Sequence, residues 1–148
     1  DHMIPYADKL RDLVTELDLN DDVTFMGHRS DIPEILNSLY FVVIASALAE
    51  ACPMVALEAF ASGIPVVGPD IGGTPELIED GKTGFVFRAN DERDLAEKIM
   101  LILGDPVLQA DMQENCRRVA EERFTLDIFS KGIERVIERT LLSGNNAH

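Results

Sequence analysis

The run Ser46-Ala-Leu-Ala-Glu50-Ala-Cys52-Pro53-Met54-Val55-Ala-Leu-Glu58-Ala-Phe-Ala-Ser-Gly63-Ile-Pro65-Val-Val67 decides how this chain folds. Residues 53–62 are apolar at nearly every position, and they open on a proline suited to a first helical turn, where its missing N–H would have had no partner. Residues 65–68 then read as a β-strand. Cys52 falls at the cap position and caps poorly beside Ser, Thr, Asp or Asn. The backbone N–H groups of Met54, Val55 and Ala56 are therefore expected to be left for an external acceptor such as a phosphate or a sugar hydroxyl.

Around this run, short β-branched segments alternate with helix-period segments, the pattern of an α/β domain on a parallel sheet. Strands are expected near residues 22–26, 41–46, 65–68 and 84–87. Helices are expected near 6–17, 32–39, 53–62, 75–79 and 92–103. Two more helices follow the last strand, at about 106–123 and 126–143, with Asp105-Pro106 and Thr125 as start signals. In the final helix Leu126, Phe129, Ile133, Val136, Ile137 and Leu141 recur at helical spacing, so it is expected to lay an apolar stripe on the domain. The tail at 144–148 carries no packing residues and is expected to fray. Asp1-His2-Met3 reads as a cloning scar followed by a start-like Met.

With 148 residues and 46% hydrophobic content, the whole chain, 1–148, fits a single domain with its own core. Cys52 and Cys116 belong to no closely spaced ligand cluster, which argues against a disulfide framework or a structural zinc. A reducing cytoplasm is the default setting, and peripheral membrane association of a parent protein stays open. The net charge of −14, from 27 acidic and 13 basic residues, disfavours long-range attraction to nucleic acid or an anionic bilayer. Any phosphate must be bound locally.

Glu50 and Glu58, with seven residues between them, place one carboxylate in the loop before the helix and one on it. That suits a polyhydroxylated ligand whose phosphates face the helix start. A pair of solvated carboxylates is the bland alternative. Against it, Glu58 sits between Leu57 and Ala59 in an apolar helix, where a lone carboxylate is costly without partners. Gly72-Gly73-Thr74-Pro75-Glu76 is a second loop entering a helix at a strand's carboxyl end, where open α/β sheets bind ligands. Its glycines serve either a positive-φ turn or a phosphate contact. Gly27-His28-Arg29 follows the first expected strand, and backbone groups there could read a base edge. His28 has no nucleophile or ligand cluster beside it in sequence, and Arg29 is either a surface charge or a phosphate partner. Asp80-Gly81-Lys82-Thr83-Gly84 is a turn before a strand, not a phosphate-binding Walker loop, since the upstream glycine and following helix are absent.

In order, Val23-Thr-Phe-Met-Gly27, Ser46…Glu50…Pro53…Glu58-Ala, Ala61-Ser-Gly63-Ile-Pro65-Val-Val, Gly72-Gly73…Glu76-Leu-Ile and Asp80-Gly81-Lys-Thr-Gly84-Phe-Val resemble the donor-site motifs of glycosyltransferase family 4, also called group 1. The resemblance runs from about residue 6 to 140. It implies the C-terminal, donor-binding lobe of a retaining two-lobed (GT-B) hexosyltransferase, a Rossmann-like doubly wound sheet followed by two helices. It implies that Glu50 contacts the donor hexose and acts in catalysis. Glu58 would bind the ribose hydroxyls, amides near Met54 and Val55 would face the sugar or diphosphate, and Gly27–Arg29 would meet the base. The donor is a nucleoside diphosphate sugar, and no metal or other cofactor is generally required. Retention proceeds by front-face displacement, the leaving diphosphate helping to deprotonate the acceptor while fixed donors and basic side chains stabilise its charge.

Two departures are tolerable: Ala45 replaces the usual proline before Ser46, and Tyr40 replaces a common aspartate. A larger one is that the family's lobe begins with a βαβ unit whose Arg and Lys clamp the diphosphate. By this resemblance the chain starts after that unit, and the partner N-terminal acceptor lobe, with its usual catalytic histidine, is missing too. In the strand order 3-2-1-4-5-6 the absent strands would lie between the first two strands here. The expectation is a rearranged or strand-exchanged homodimer, inactive alone. The alternative is an isolated nucleotide-binding or assembly module without catalysis. A sugar phosphorylase or epimerase shares the two-lobed fold, but the ordered motifs argue against it.

Overall fold

The computed structural model describes residues 4–144, so residues 1–3 and 145–148, including the scar and all of the expected tail but Gly144, lie outside the described part. Contacts divide the chain into two units, residues 1–31 and 32–148.

In the first unit, α1 spans Ile4–Glu16 and closes into a turn in which Asp18 takes φ 57° and the Leu19 N–H bonds to the Val14 carbonyl at 2.9 Å. The expected strand at 22–26 does not form. Val23, Phe25 and Met26 are exposed, and Phe25 lies under the Arg11 guanidinium at 5.5 Å. A strand is defined by its ladder, and no strand among the described residues pairs with this run.

The second unit holds a three-stranded parallel sheet in the order β1 (Val42–Val43), β2 (Val66–Pro69), β3 (Gly84–Phe87). Register pairs Val43 with Val67 and Val67 with Phe85. Alternation along each strand sends successive side chains to opposite faces. Val66 and Ile44 thus join one core with Ala56, Ala59, Phe60 and Leu77. Val67, Phe85 and Phe87 join a second with Ile102 and Met112. A sheet buried on both faces is what near-continuous apolar strands imply, and it is the doubly wound arrangement. The expected 41–46 strand contracts to two residues, although the Ile44 N–H still reaches the Val67 carbonyl at 2.9 Å. It is an edge with β2 alone beside it, so no strand has moved in to cover it.

Helix α2 (Ile32–Leu36) precedes β1, α3 (Met54–Ala61) links β1 to β2, and α4 (Thr74–Leu77) lies between β2 and β3. After β3 come α5 (Glu92–Gly104), α6 (Pro106–Arg123) and α7 (Leu126–Gly144). Asp91 and Asp105 cap α5 and α6, each carboxylate accepting two N–H groups of the first turn. Thr125 does the same for α7, taking the Ile128 N–H at 3.3 Å. The apolar stripe of α7 does not lie on the domain. Leu126 is 84% exposed, Phe129 67% and Leu141 66%; only its first turn comes near the sheet unit, where Leu126 and Phe129 border an apolar cavity with Met54, Leu57 and Leu77.

No helix of the described residues is long and apolar enough to cross a membrane.

Candidate functional site

Because all three strands run parallel, the loops after β1, β2 and β3 leave the sheet at the same end. Those carboxyl-end loops are where an open α/β sheet offers a crevice. They bring together Glu50, the start of α3 and the Gly72-Gly73 pair.

Glu50 is exposed and held twice. Its carboxylate Oε1 accepts a hydrogen bond from the Ser46 Oγ, and its backbone carbonyl accepts the Gly73 N–H at 2.8 Å. The two glycines have different reasons to be glycine. Gly72 takes φ +60°, the turn conformation expected from sequence, and any Cβ on it would overlap the Glu50 carbonyl. Gly73 has an ordinary φ of −86°. There it is contact that forbids a side chain, since a Cβ would drive into the Ala51 carbonyl oxygen. The chain behind this loop is anchored, with Thr74 only 2% exposed and Leu77 buried.

Helix α3 begins one residue later than expected, at Met54, with Pro53 rather than Cys52 at the cap in an extended conformation and no side chain capping the helix. The Ala56 N–H is already bonded to the Pro53 carbonyl at 3.0 Å. That leaves Met54 and Val55 to supply the first-turn amides without intrahelical partners. Ala56, Ala59 and Phe60 face the core, while Met54, Val55 and Glu58 share the exposed face. The expected desolvation of Glu58 does not occur. A helix can be apolar along its length and still present one residue in four to solvent, and Glu58 occupies such a position.

The loops after β1 and β3 border a cavity of about 320 Å³, with Ser46, Pro69, Phe87, Asn90, Asp91 and Leu95 on its wall. Asp91, on its border, belongs to a charged cluster with Arg88 and Asp94. The Arg88 N–H donates to the Asp94 carboxylate at 2.7 Å, and that bond, helped by the charges of Arg88 and Lys98, holds Asp94 below the usual carboxylate range. Arg88 also pairs with Asp91 at 2.9 Å. Among the described residues no three His, Cys, Asp or Glu side chains gather to hold a metal ion.

Gly27, His28 and Arg29 belong to the first unit, where Gly27 takes φ +64° and all three are exposed. Arg29 is already matched fork to fork with Asp31, its Nε donating to Oδ1 at 2.8 Å and its Nη2 to Oδ2. The pairing raises Arg29 and lowers Asp31 from their ordinary pKa values. Neither the Ser46–Glu50 hydrogen bond nor the Glu50–Gly73 joint is legible from the sequence. The adjacent glycines are the available signal, but they do not say which backbone they must admit.

The chain is 34% identical over 133 residues to an exopolysaccharide phosphotransferase of Streptomyces coelicolor, covering 89% of this chain and 14% of that protein. It is 33% identical over 144 residues to a lipopolysaccharide core biosynthesis mannosyltransferase of Rhizobium leguminosarum, covering 97% of this chain and 40% of that one. Anabaena HepE, solved in complex with UDP, superimposes with a TM-score of 0.86 at 30% identity, over 91% of this chain and 37% of HepE. The same protein has also been solved with UDP-glucose. The chain thus spans less than half the length of each of these proteins. Its α/β architecture with a parallel sheet is that of the Rossmann-like GT-B lobes. The family model described as glycosyl transferases group 1 matches residues 4–119, most of the sequence, and the chain belongs to that family.

Proposed function

We propose that this chain is the donor-binding part of the C-terminal lobe of a retaining family 4 glycosyltransferase that moves a hexose from a nucleoside diphosphate sugar to an acceptor. The observation that carries this reading is the convergence at one sheet end of a doubly held Glu50, an uncapped α3 and Glu58 on the exposed face of that helix. Partner-free amides of Met54 and Val55 suit a diphosphate or sugar oxygen, because a helix start offers N–H groups and a positive dipole end together. Glu58 is assigned to the ribose hydroxyls and Glu50 to the reacting hexose. Gly72 and Gly73 are assigned to shaping the Glu50 loop rather than to a phosphate contact. Gly27 and His28 remain the proposed base-reading loop, while Arg29, engaged by Asp31, is a weaker phosphate partner than its charge alone implies. HepE in complex with UDP and with UDP-glucose supports a nucleotide-sugar donor. The phosphotransferase relative does not redirect the reading, since the match covers 14% of it. An assembly module without catalysis is not favoured, given relatives named as transferases.

The test is kinetic, in the full-length protein carrying this chain. Glu58→Ala removes charge-assisted hydrogen bonds worth ~1.5–3 kcal/mol, so donor affinity falls roughly tenfold to a hundredfold. Unchanged donor affinity would remove Glu58 from the ribose site. Glu50→Ala lowers turnover with little change in donor affinity, because its contact strengthens as the reaction proceeds. The chain by itself transfers nothing and binds UDP, GDP or ADP weakly in calorimetry, and submicromolar binding would show that no Arg-Lys clamp is needed.

A further inference from the structure

We infer that Ser46 and Gly73 are positioning residues for Glu50, acting through it rather than on the nucleotide, an inference that rests on the catalytic assignment of Glu50 above. Glu50 is exposed and sits in an irregular loop, so nothing in its own secondary structure fixes the carboxylate. Two neighbours do so from different directions. Ser46, four residues earlier and three residues past β1, donates to Oε1. Gly73, in the loop after β2, donates its N–H to the Glu50 carbonyl at 2.8 Å. The second loop can come that close only because neither glycine has a Cβ, as one on Gly72 would meet the Glu50 carbonyl and one on Gly73 the Ala51 carbonyl. The loop is seated in turn on buried Thr74 and Leu77. Glu50 is thus held between a half-buried hydroxyl and a backbone amide whose base is in the core, the support a catalytic group needs to keep its orientation. Its second carboxylate oxygen has no hydrogen bond among the described residues and stays available to a ligand.

The donor probe is whichever of UDP-, GDP- or ADP-glucose the full-length protein hydrolyses fastest, with the matching diphosphate for binding. Gly73→Ala and Ser46→Ala are each expected to lower hydrolytic kcat roughly tenfold while leaving the diphosphate Kd within about twofold, as for loss of an interaction made in the transition state. Ser46→Thr restores most of the loss, and neither substitution lowers kcat further in a Glu50→Gln background, since groups acting as one unit are not additive. A rise in diphosphate Kd as large as the fall in kcat, or full additivity with Glu50→Gln, overturns the inference and makes the two residues direct ligand contacts. Ser46→Ala removes one half-buried hydroxyl and adds no bulk, so the outcome does not hang on whether Gly73→Ala folds. If Glu50→Gln itself keeps full kcat, the catalytic reading of Glu50 fails. The geometric joint is then judged separately by amide exchange in the full-length protein. Gly73 N–H exchange at least about tenfold slower than that of Gly72 sustains it, and open-loop exchange overturns it.

Discussion

Helices α6 and α7 are consecutive and nearly equal in length, 18 and 19 residues, yet they have opposite fates. Helix α6 is highly charged and carries a narrow stripe of Met112, Cys116 and Val119, at i, i+4 and i+7, and every one of these is fully buried. It is packed against α3 and α5. Helix α7 carries a broader and more regular stripe, and Phe129, Ile133, Val136 and Ile137 all stay exposed. Periodicity states what a helix is able to bury, and a partner decides whether it does. Stability of this chain should therefore be concentrated in α6 and nearly absent from α7.

The largest contrast expected is in thiol reactivity. Cys116 is fully buried, its Sγ near the Thr83 carbonyl oxygen at 3.4 Å, and loss of solvation pushes its thiol up to about 12, whereas Cys52 is exposed. A maleimide should label Cys52 at once and Cys116 only through unfolding, slower by roughly a thousandfold or more for a domain of ordinary stability. The same burial sets a pH dependence. Unfolded, the thiol ionises near its ordinary value of 9.0; folded, it holds its proton to about 12. Its contribution is fully present below pH 9 and declines above it, by about 1.4 kcal/mol per pH unit until the folded value is reached. Urea titrations of the chain and of Cys116→Ala between pH 8 and 10 check this, the decline being shallower in the variant. Two cysteines labelled at equal rates would mean that α6 is not seated as described.

Next is packing. Met112 is fully buried in the core that includes Val67, Phe85 and Phe87. Met112→Ala should cost about 2–5 kcal/mol in urea denaturation, from lost burial and the cavity left behind. A loss below about 1 kcal/mol would place α6 nearer to α7 in behaviour.

What was legible in the sequence follows the same division. Where an element is packed among the described residues, local signals located it, although β1 and α2 are shorter than the expected 41–46 and 32–39. The strand at Gly84–Phe87 and the helix at Pro106–Arg123 fall where the apolar run and the Asp105-Pro106 start signal put them. Val23 to Met26 carries an equally good strand signal and forms none, because a strand needs a ladder and no described strand pairs with it. The α7 stripe fails for the same reason. At the site, the two glutamates and the uncapped helix start were readable as residue types at a spacing. The exposure of Glu58 and the close approach of Gly73 to Ala51 were not, since both depend on which side of α3 meets the core and how two loops 22 residues apart in sequence nest.

A smaller effect is expected at the helix starts. The Asp105 carboxylate accepts the Val107 and Leu108 N–H groups, both at 3.0 Å. Asp105→Ala should cost ~1 kcal/mol, because a helix that is part of the core transmits the loss of its cap to global stability. Thr125→Ala removes the analogous bond from α7 and should be nearly silent in the same urea titration. Equal losses for the two caps would break the contrast between the helices.

The smallest effect belongs to the α7 stripe itself. Ile133 is 47% exposed and lies mid-helix, so truncating it removes no core contact and leaves no cavity. Ile133→Ala should change the chain's unfolding free energy by no more than about 0.5 kcal/mol, the range of surface substitutions, with alanine's better helix propensity partly offsetting the lost methylenes. Ile133→Asp is the sharper version, since an aspartate on a covered stripe would cost several kcal/mol while one in water costs only its propensity. The measurement is urea denaturation by far-UV circular dichroism at two protein concentrations, tenfold apart. Small losses at both concentrations sustain the contrast with α6. A loss above about 2 kcal/mol for Ile133→Asp that grows with concentration would show that a second copy covers the stripe in solution, and would give α7 the partner that α6 already has.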